Sequence, residues 1–169
     1  IDPSKIVIGG ESGGGYIVLG AMVLLAEHDE GNLVKLGIPS VPMVDDYSFS
    51  DPLAMTIEER KSHMSMRKIW KDLIAADFEQ QKSSPHLFPG KASEVLLEKF
   101  PPVIIIETEF DMFITEATRL ANRLRRAGRL LEFPVVPGST HNSGFMPGTK
   151  GNKIFKDVVR TIAKEYIHC

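Results

Sequence analysis

Apolar and polar positions follow one another along the chain in a pattern that predicts strands and helices in regular succession. Four short runs rich in β-branched residues predict strands, at 5–8, 35–44, 103–106 and 130–136. Three longer segments predict helices, at 14–27, 115–127 and 153–167. The first helix is apolar on nearly every face and is therefore expected to be buried on all sides. This order of elements is typical of a three-layer α/β/α domain with a mostly parallel sheet.

The pattern changes between residues 45 and 90, where no strand is predicted. Polar loops are expected at 45–51 and 83–90, with helical stretches at 57–64 and 65–78 between them. Such a stretch predicts a lid or pocket wall inserted into a single domain that spans residues 1–169. Four of its apolar side chains are candidates for a pocket lining, although a place in the core explains each of them better: Phe49, Met55, Trp70 and Phe88.

Composition narrows the classes of function. The chain is 43% hydrophobic and 25% charged, and its net charge of −2 offers no general attraction to nucleic acid or to an anionic membrane surface. No run approaches the roughly 18 apolar residues of a membrane span. The single cysteine, Cys169, excludes an internal disulfide and favours a reducing compartment, so we expect a cytoplasmic location. A solvated helix face explains the four clustered arginines: Arg123, Arg125, Arg126 and Arg129.

A glycine-rich turn lies between the first predicted strand and the first helix. Its residues Gly10-Glu11-Ser12-Gly13-Gly14 fit the G-x-S-x-G nucleophile elbow, in which a serine hydroxyl projects above the sheet. Small residues at 10 and 14 are expected to let helix and strand approach closely, and the Gly13 amide is expected to donate to an oxyanion. The alternative is a glycine-rich turn that binds phosphate.

Asp111 follows the third predicted strand and is the candidate for the acid that orients a histidine. Two other carboxylates, Glu107 and Glu109, compete for this role. Asp111 is favoured by its position, although an aspartate there is also explained as a cap of the helix that follows.

His141 lies in the polar, glycine-flanked segment 137–151 after the fourth predicted strand, where an imidazole can act as general base. The other histidines are better explained as surface residues: His28, His63, His86 and His168. Each member of the set Ser12, Asp111 and His141 follows a successive strand, and this chain order is the one that α/β-hydrolases use.

Several motifs together resemble the hormone-sensitive-lipase-like esterases, which include arylacetamide deacetylases and plant carboxylesterases. The family's Gly-Asp-Ser-Ala-Gly-Gly elbow is similar to residues 10–15, its Ser-Pro-Leu motif to 84–87 and its Leu-Pro-Pro motif to 100–102. Its Glu-Phe-Asp-Pro-Leu motif is similar to residues 109–113, its Leu-Arg-x-Ala-Gly motif to 124–128 and its His-Gly-Phe motif to 141–145. The resemblance covers nearly the whole chain and implies the C-terminal half of an α/β-hydrolase. The sequence departs from the family's pattern in two places. Asn142-Ser143 separate the histidine from Gly-Phe, and the family's His-Gly-Gly-Gly oxyanion loop, which lies upstream of the elbow, has no counterpart among these residues.

The resemblance implies a serine hydrolase of small carboxylic esters that works through an acyl-enzyme. Because removal of one oxyanion donor costs about 10²- to 10³-fold in rate, we expect these 169 residues by themselves to be weak or inactive. A prolyl-oligopeptidase-like peptidase is the alternative enzyme, since Gly13-Gly14-Gly15-Tyr16 resembles that family's Gly-Gly-Tyr. A non-catalytic binding module is the alternative outside enzymes. No metal or cofactor is expected, and a strand exposed at Lys5 would favour a homodimer.

Overall fold

The computed structural model describes residues 5–45 and 78–167, together with the single helical positions 65, 68 and 72. The strands are Val7–Glu11 (β1), Leu36–Ser40 (β2), Val103–Ile104 (β3), Glu107–Phe110 (β4), Leu130–Glu132 (β5) and Val135–Thr140 (β6). The α-helices are Gly13–Glu27 (α1), Phe78–Gln81 (α2), Glu94–Leu97 (α3), Ile114–Arg126 (α4) and Lys150–Ile162 (α5). Short 3₁₀ turns occur at Gly31–Leu33, Pro89–Lys91 and His141–Phe145, and a π-helical turn occupies Ala163–Ile167.

The described strands pair in parallel, as predicted. One sheet has the order β1-β2-β3-β5 and a second, two-stranded sheet pairs β4 with β6. A parallel bridge between Ser40 and Ile106 joins the two sheets. The carboxyl ends of β1, β4 and β6 therefore lie along one edge, where ligands collect in open parallel sheets.

Two predicted strands are each interrupted in the structure. The apolar run 103–106 contains β3 and leads into β4, and the pairing of β3 with β5 shifts register between Val103 and Ile104. The run 130–136 divides into β5 and the start of β6. Pro134 lies at the second interruption, where it has no N–H to give to the ladder, although its carbonyl accepts from Glu107 N at 2.9 Å.

Successive side chains of the third predicted strand enter two separate hydrophobic cores. Val103 and Ile105 pack with residues of α1, α3 and α4, whereas Ile104 and Ile106 pack with residues of α5. The alternation of side chains along a strand explains why every position of this run is apolar, since both faces of the sheet are covered. The three-layer prediction is confirmed.

Other predicted boundaries were wrong. The second strand ends at Ser40, because Val41 has a φ of 40° and turns the chain. The fourth continues to Thr140, although Pro137 and Gly138 favour a loop, and the last helix begins at Lys150, where Thr149 Oγ1 accepts from Asn152 N. The C-terminus of α4 agrees with prediction, since Gly128 follows it with a φ of 70°.

The expectation that the first helix is buried on all sides was wrong. Ile17 is 68% exposed and Leu24 is 50% exposed, seven residues apart and hence on one face of α1, which no described residue covers. The opposite face packs closely on the sheet, because a Cβ on Gly37 of β2 would lie 1.7 Å from Met22 Cε.

The solvated-face interpretation of the arginines was right for two of them. Arg125 and Arg126 are exposed, but Arg123 bonds to Glu94 and to the carbonyls of Gly90 and Ala92, and Arg129 donates to Glu98 O. These two guanidinium groups therefore tie α4 and its exit to the segment that includes α3.

The predicted insertion lies mostly outside the described residues. The residues outside the description include the helical stretch 57–64, most of 65–78, and three pocket candidates: Phe49, Met55 and Trp70. Phe88 is described and is fully buried. Within the described ranges, no helix combines the length and apolar character needed to cross a membrane.

Candidate active site

Ser12 lies on a strained turn between β1 and α1. Its backbone φ of 55° and ψ of −116° are rare for a residue with a side chain. The turn is tight because a Cβ on Gly10 would lie 2.5 Å from the carbonyl carbon and oxygen of Gly14. The strand and the helix thus approach closely between positions 10 and 14, as expected. The steric need for glycine falls on position 10 alone of these two, since a Cβ on Gly14 would meet nothing within 4 Å.

Gly15 is the second crowded position of the elbow. A Cβ there would lie 2.9 Å from Ser40 O and 3.1 Å from Pro42 Cβ, so α1 contacts the end of β2 at this point. The Ser12 amide donates to Ser40 O at 2.9 Å, which fixes the turn against the neighbouring strand. Gly13 is the first residue of α1, and the first amides of a helix have no acceptor within the helix. The Gly13 amide is therefore the donor at the elbow that is suited to an oxyanion.

Asp111 follows β4 directly, and its side chain is fully buried. Oδ1 accepts from the Phe113 amide at 2.8 Å, and Oδ2 accepts from the Thr108 hydroxyl at 3.2 Å. The alternative role as a helix cap was wrong, because Phe113 and not Asp111 is the N-cap residue of α4. These donors orient the carboxylate so that Oδ2 also reaches the histidine.

His141 is the first residue after β6 and bridges the other two predicted residues. Its Nδ1 lies 2.9 Å from Asp111 Oδ2, and its Nε2 lies 2.8 Å from Ser12 Oγ. Because a carboxylate only accepts, Nδ1 carries the proton and Nε2 is left to accept from the serine hydroxyl. The Phe113 ring contacts the imidazole edge-on, with a centroid distance of 5.0 Å.

The histidine turn, residues 141–145, contains the Asn142-Ser143 pair that departs from the family motif. Ser143 is buried, and its Oγ accepts from the Thr140 amide at 2.9 Å. Asn152 of α5 donates through Nδ2 to the carbonyls of Ser143 and Gly144, at 2.9 and 2.8 Å. Sequence reasoning did not find these two residues. Ser143 follows Thr140 at the spacing of a capping box, whereas nothing near Asn152 signals its contact.

The two carboxylates that compete with Asp111 in the sequence, Glu109 and Glu107, differ in burial. Glu109 is exposed and accepts from the Gly138 amide at 2.7 Å. Glu107 is fully buried, and burial raises its pKa well above the usual range, with the nearby charge of Asp111 adding to this effect. Burial thus favours the neutral form of the Glu107 carboxyl group.

Two other histidines fall within the described ranges, and both are at the surface. His28 is exposed at the end of α1, and the half-exposed His86 contacts Glu27 at 3.2 Å. His63 and His168 lie outside the described residues.

A small apolar cluster lies beside the imidazole and contains Phe113, Met43, Met112 and Tyr16. Tyr16, from the Gly-Gly-Tyr sequence, also donates its hydroxyl to Leu87 O at 2.9 Å. The tyrosine therefore connects α1 with the segment before the Pro89–Lys91 turn, and burial raises its pKa.

The comparison with protein families agrees with this arrangement. A family model described as alpha/beta hydrolase fold matches residues 1–146, most of the chain. The chain belongs to the α/β-hydrolase fold family. The predicted recognition and fold class are thereby confirmed, and Ser12, Asp111 and His141 all lie within the matched range.

Related proteins carry esterase names. A probable isoprenylcysteine alpha-carbonyl methylesterase of Oryza sativa subsp. japonica is 25% identical over 95% of this chain and 40% of its own length. Brefeldin A esterase, a bacterial homologue of human hormone-sensitive lipase, superposes with a TM-score of 0.78 at 21% identity. Carboxyl esterase 2 of the fungus Tuber melanosporum gives 0.77 at 20% identity. The two superpositions cover 98% and 99% of this chain but only 48% and 56% of the two esterases. This α/β-hydrolase chain therefore spans about half their length.

Proposed function

We propose that this α/β-hydrolase is a serine carboxylesterase of small acyl esters, with Ser12 as nucleophile, His141 as general base and Asp111 as the acid that orients it. The observation that carries the proposal is the chain of contacts Ser12 Oγ–His141 Nε2 and His141 Nδ1–Asp111 Oδ2, at 2.8 and 2.9 Å. The esterase names of the relatives support the same substrate class.

Ester hydrolysis follows from these contacts in two steps. Ser12 Oγ attacks the acyl carbon while Nε2 of His141 takes the hydroxyl proton, and the imidazolium that forms is stabilised by the buried Asp111. His141 then returns the proton to the leaving alkoxide, which departs as the alcohol and leaves an acyl-serine. Water then attacks the acyl carbon of this intermediate while His141 takes its proton. The bond to Ser12 Oγ breaks, His141 returns the proton to Oγ, and the carboxylic acid is released.

The Gly13 amide supplies one oxyanion donor in this mechanism. It lies at the N-terminus of α1, where the helix dipole also favours negative charge. The Ser12 amide does not compete for this role, because it already donates to Ser40 O.

The proposal is tested by covalent labelling together with turnover. We expect a fluorophosphonate probe to modify Ser12, as identified by peptide mass spectrometry. We expect p-nitrophenyl acetate and butyrate to be hydrolysed slowly by residues 1–169 alone and faster by a longer form that carries the family's oxyanion loop upstream of the elbow. Ser12→Ala should abolish labelling and lower kcat by about 10⁴- to 10⁶-fold. Ser83→Ala, at an exposed serine in a turn, is the matched control and should change neither.

Two outcomes contradict the proposal. Labelling and turnover that survive Ser12→Ala would place the activity elsewhere. A longer form that carries the oxyanion loop and is still unlabelled and inactive would favour a non-catalytic binding module. Cleavage of a prolyl p-nitroanilide in preference to the esters would favour the peptidase alternative.

A further inference from the structure

The side chain of Glu11 is placed against the histidine turn. Glu11 ends β1 next to Ser12, and a Cβ on Gly144 would lie 1.9 Å from its Oε1 and 2.6 Å from its Cδ. The carboxyl group therefore occupies the space where a side chain at position 144 would stand. Glycine at 144 allows the elbow and the histidine turn to meet through this carboxyl group.

The same carboxyl group is poorly solvated. Its Oε1 is buried and has no hydrogen-bond donor within the described part of the chain. Desolvation by burial is the larger influence on Glu11 and raises its pKa. Buried polar atoms normally have a hydrogen-bond partner, so a buried carboxyl oxygen without one indicates a functional role for Glu11.

The second influence on Glu11 is the charge of His141, which lowers the pKa of the carboxyl group. Glu11 and His141 therefore lie close enough for their charges to interact, and the interaction is attractive when the carboxyl group is ionised and the imidazole is protonated. Asp111, by contrast, bonds directly to His141 Nδ1.

We propose that Glu11 is a positioning residue of the esterase, which seats the histidine turn at Gly144 and supplies a second negative charge to the His141 imidazolium. This inference rests on the proposed function, because the imidazolium forms when His141 takes the proton of Ser12. It also explains the residue between glycine and serine in the elbow, a position for which the G-x-S-x-G motif makes no demand.

Isosteric removal of the charge tests the electrostatic part. Glu11→Gln should lower kcat about tenfold with little change in KM, because the charge acts only after proton transfer. The acid limb of the kcat/KM profile should move to lower pH, since the imidazolium loses one of its stabilising charges. Glu11→Asp should recover most of kcat, and Glu30→Gln at an exposed glutamate should leave both the rate and the profile unchanged.

A double-mutant cycle tests the steric part. Gly144→Ala should lower kcat, because the new Cβ displaces the Glu11 carboxyl or the turn that carries His141. In a Glu11→Ala background the space is vacant, so the same substitution should have little further effect. Equal effects of Gly144→Ala in both backgrounds would overturn the seating role.

Fluorophosphonate labelling of Ser12 separates this inference from the function on which it rests. If Ser12 of the unsubstituted protein is not labelled, the proposed function fails. If Ser12 is labelled and Glu11→Gln has an unchanged kcat and pH profile, the esterase stands and the electrostatic role of Glu11 is refuted.

Discussion

The elbow and the histidine turn meet at the Ser12–His141 hydrogen bond and at the Glu11 carboxyl group, but they are held in place by different means. The elbow, residues 10–15, is fixed by backbone contacts: glycine against glycine, α1 against β2, and the Ser12 amide on Ser40 O. The histidine turn is fixed by side chains, among them Asn152 and Ser143. The nucleophile therefore depends on the absence of side-chain volume, whereas the base depends on polar side chains of its own turn and of α5.

The largest effect is expected from adding volume to the elbow. A methyl group at Gly10→Ala would collide with the backbone of Gly14, which cannot move without displacing α1 from β1. We expect a loss of about 3–5 kcal/mol in the free energy of unfolding and loss of Ser12 labelling. Chemical denaturation with the labelling assay measures both.

Gly20→Ala is the control for this change because it lies on the same helix. A Cβ there would meet nothing within 4 Å, so alanine should be neutral or should stabilise the helix by up to about 1 kcal/mol. Similar stabilities for the two alanine variants would show that the elbow tolerates volume and would remove the contrast with the histidine turn.

A smaller effect is expected from removing a support of the histidine turn. Asn152→Ala leaves two carbonyl groups, those of Ser143 and Gly144, without their donor in a largely buried site. We expect a loss of about 1–3 kcal/mol in unfolding free energy and a fall in kcat of about tenfold. Asn122→Ala, at an exposed asparagine of α4, should change neither. An Asn152→Ala variant with normal kcat would mean that the turn holds His141 without help from α5.

The same contrast explains how much the sequence could predict. The elbow is specified by six consecutive residues, and the strand and helix on either side are visible in the local pattern. The three predicted site residues could be chosen because each follows a strand. Their supports could not be chosen, since Asn152 and Gly144 gain their importance only from contacts made in the folded chain.

The boundary errors have a related cause. Pro137 and Gly138 indicate a loop, yet β6 continues through them because it lies at the outside of the described two-stranded sheet, with its register shifted near the proline. A proline in such a strand loses no hydrogen bond within the ladder. The local sequence pattern shows that a proline is present, but only the pairing of strands in the folded chain shows whether its missing N–H removes a hydrogen bond.

The smallest effect concerns charge beside the buried Asp111 and appears as a dependence of stability on pH. Because the folded-state pKa of Glu107 is raised, the folded protein keeps a proton that the unfolded chain loses above its ordinary pKa. The stabilisation that this proton contributes should therefore be fully present below the ordinary pKa and should decline as pH rises toward the folded-state pKa. Glu107→Gln removes this proton, so its unfolding free energy should decline less between pH 5 and pH 8. Denaturation curves at several pH values measure the difference, with Glu109→Gln at the exposed neighbour as control. An unchanged decline in Glu107→Gln would mean that Glu107 is ionised next to Asp111. Two negative charges would then lie close together in a buried part of the site, an unfavourable arrangement comparable to the strained backbone of the elbow.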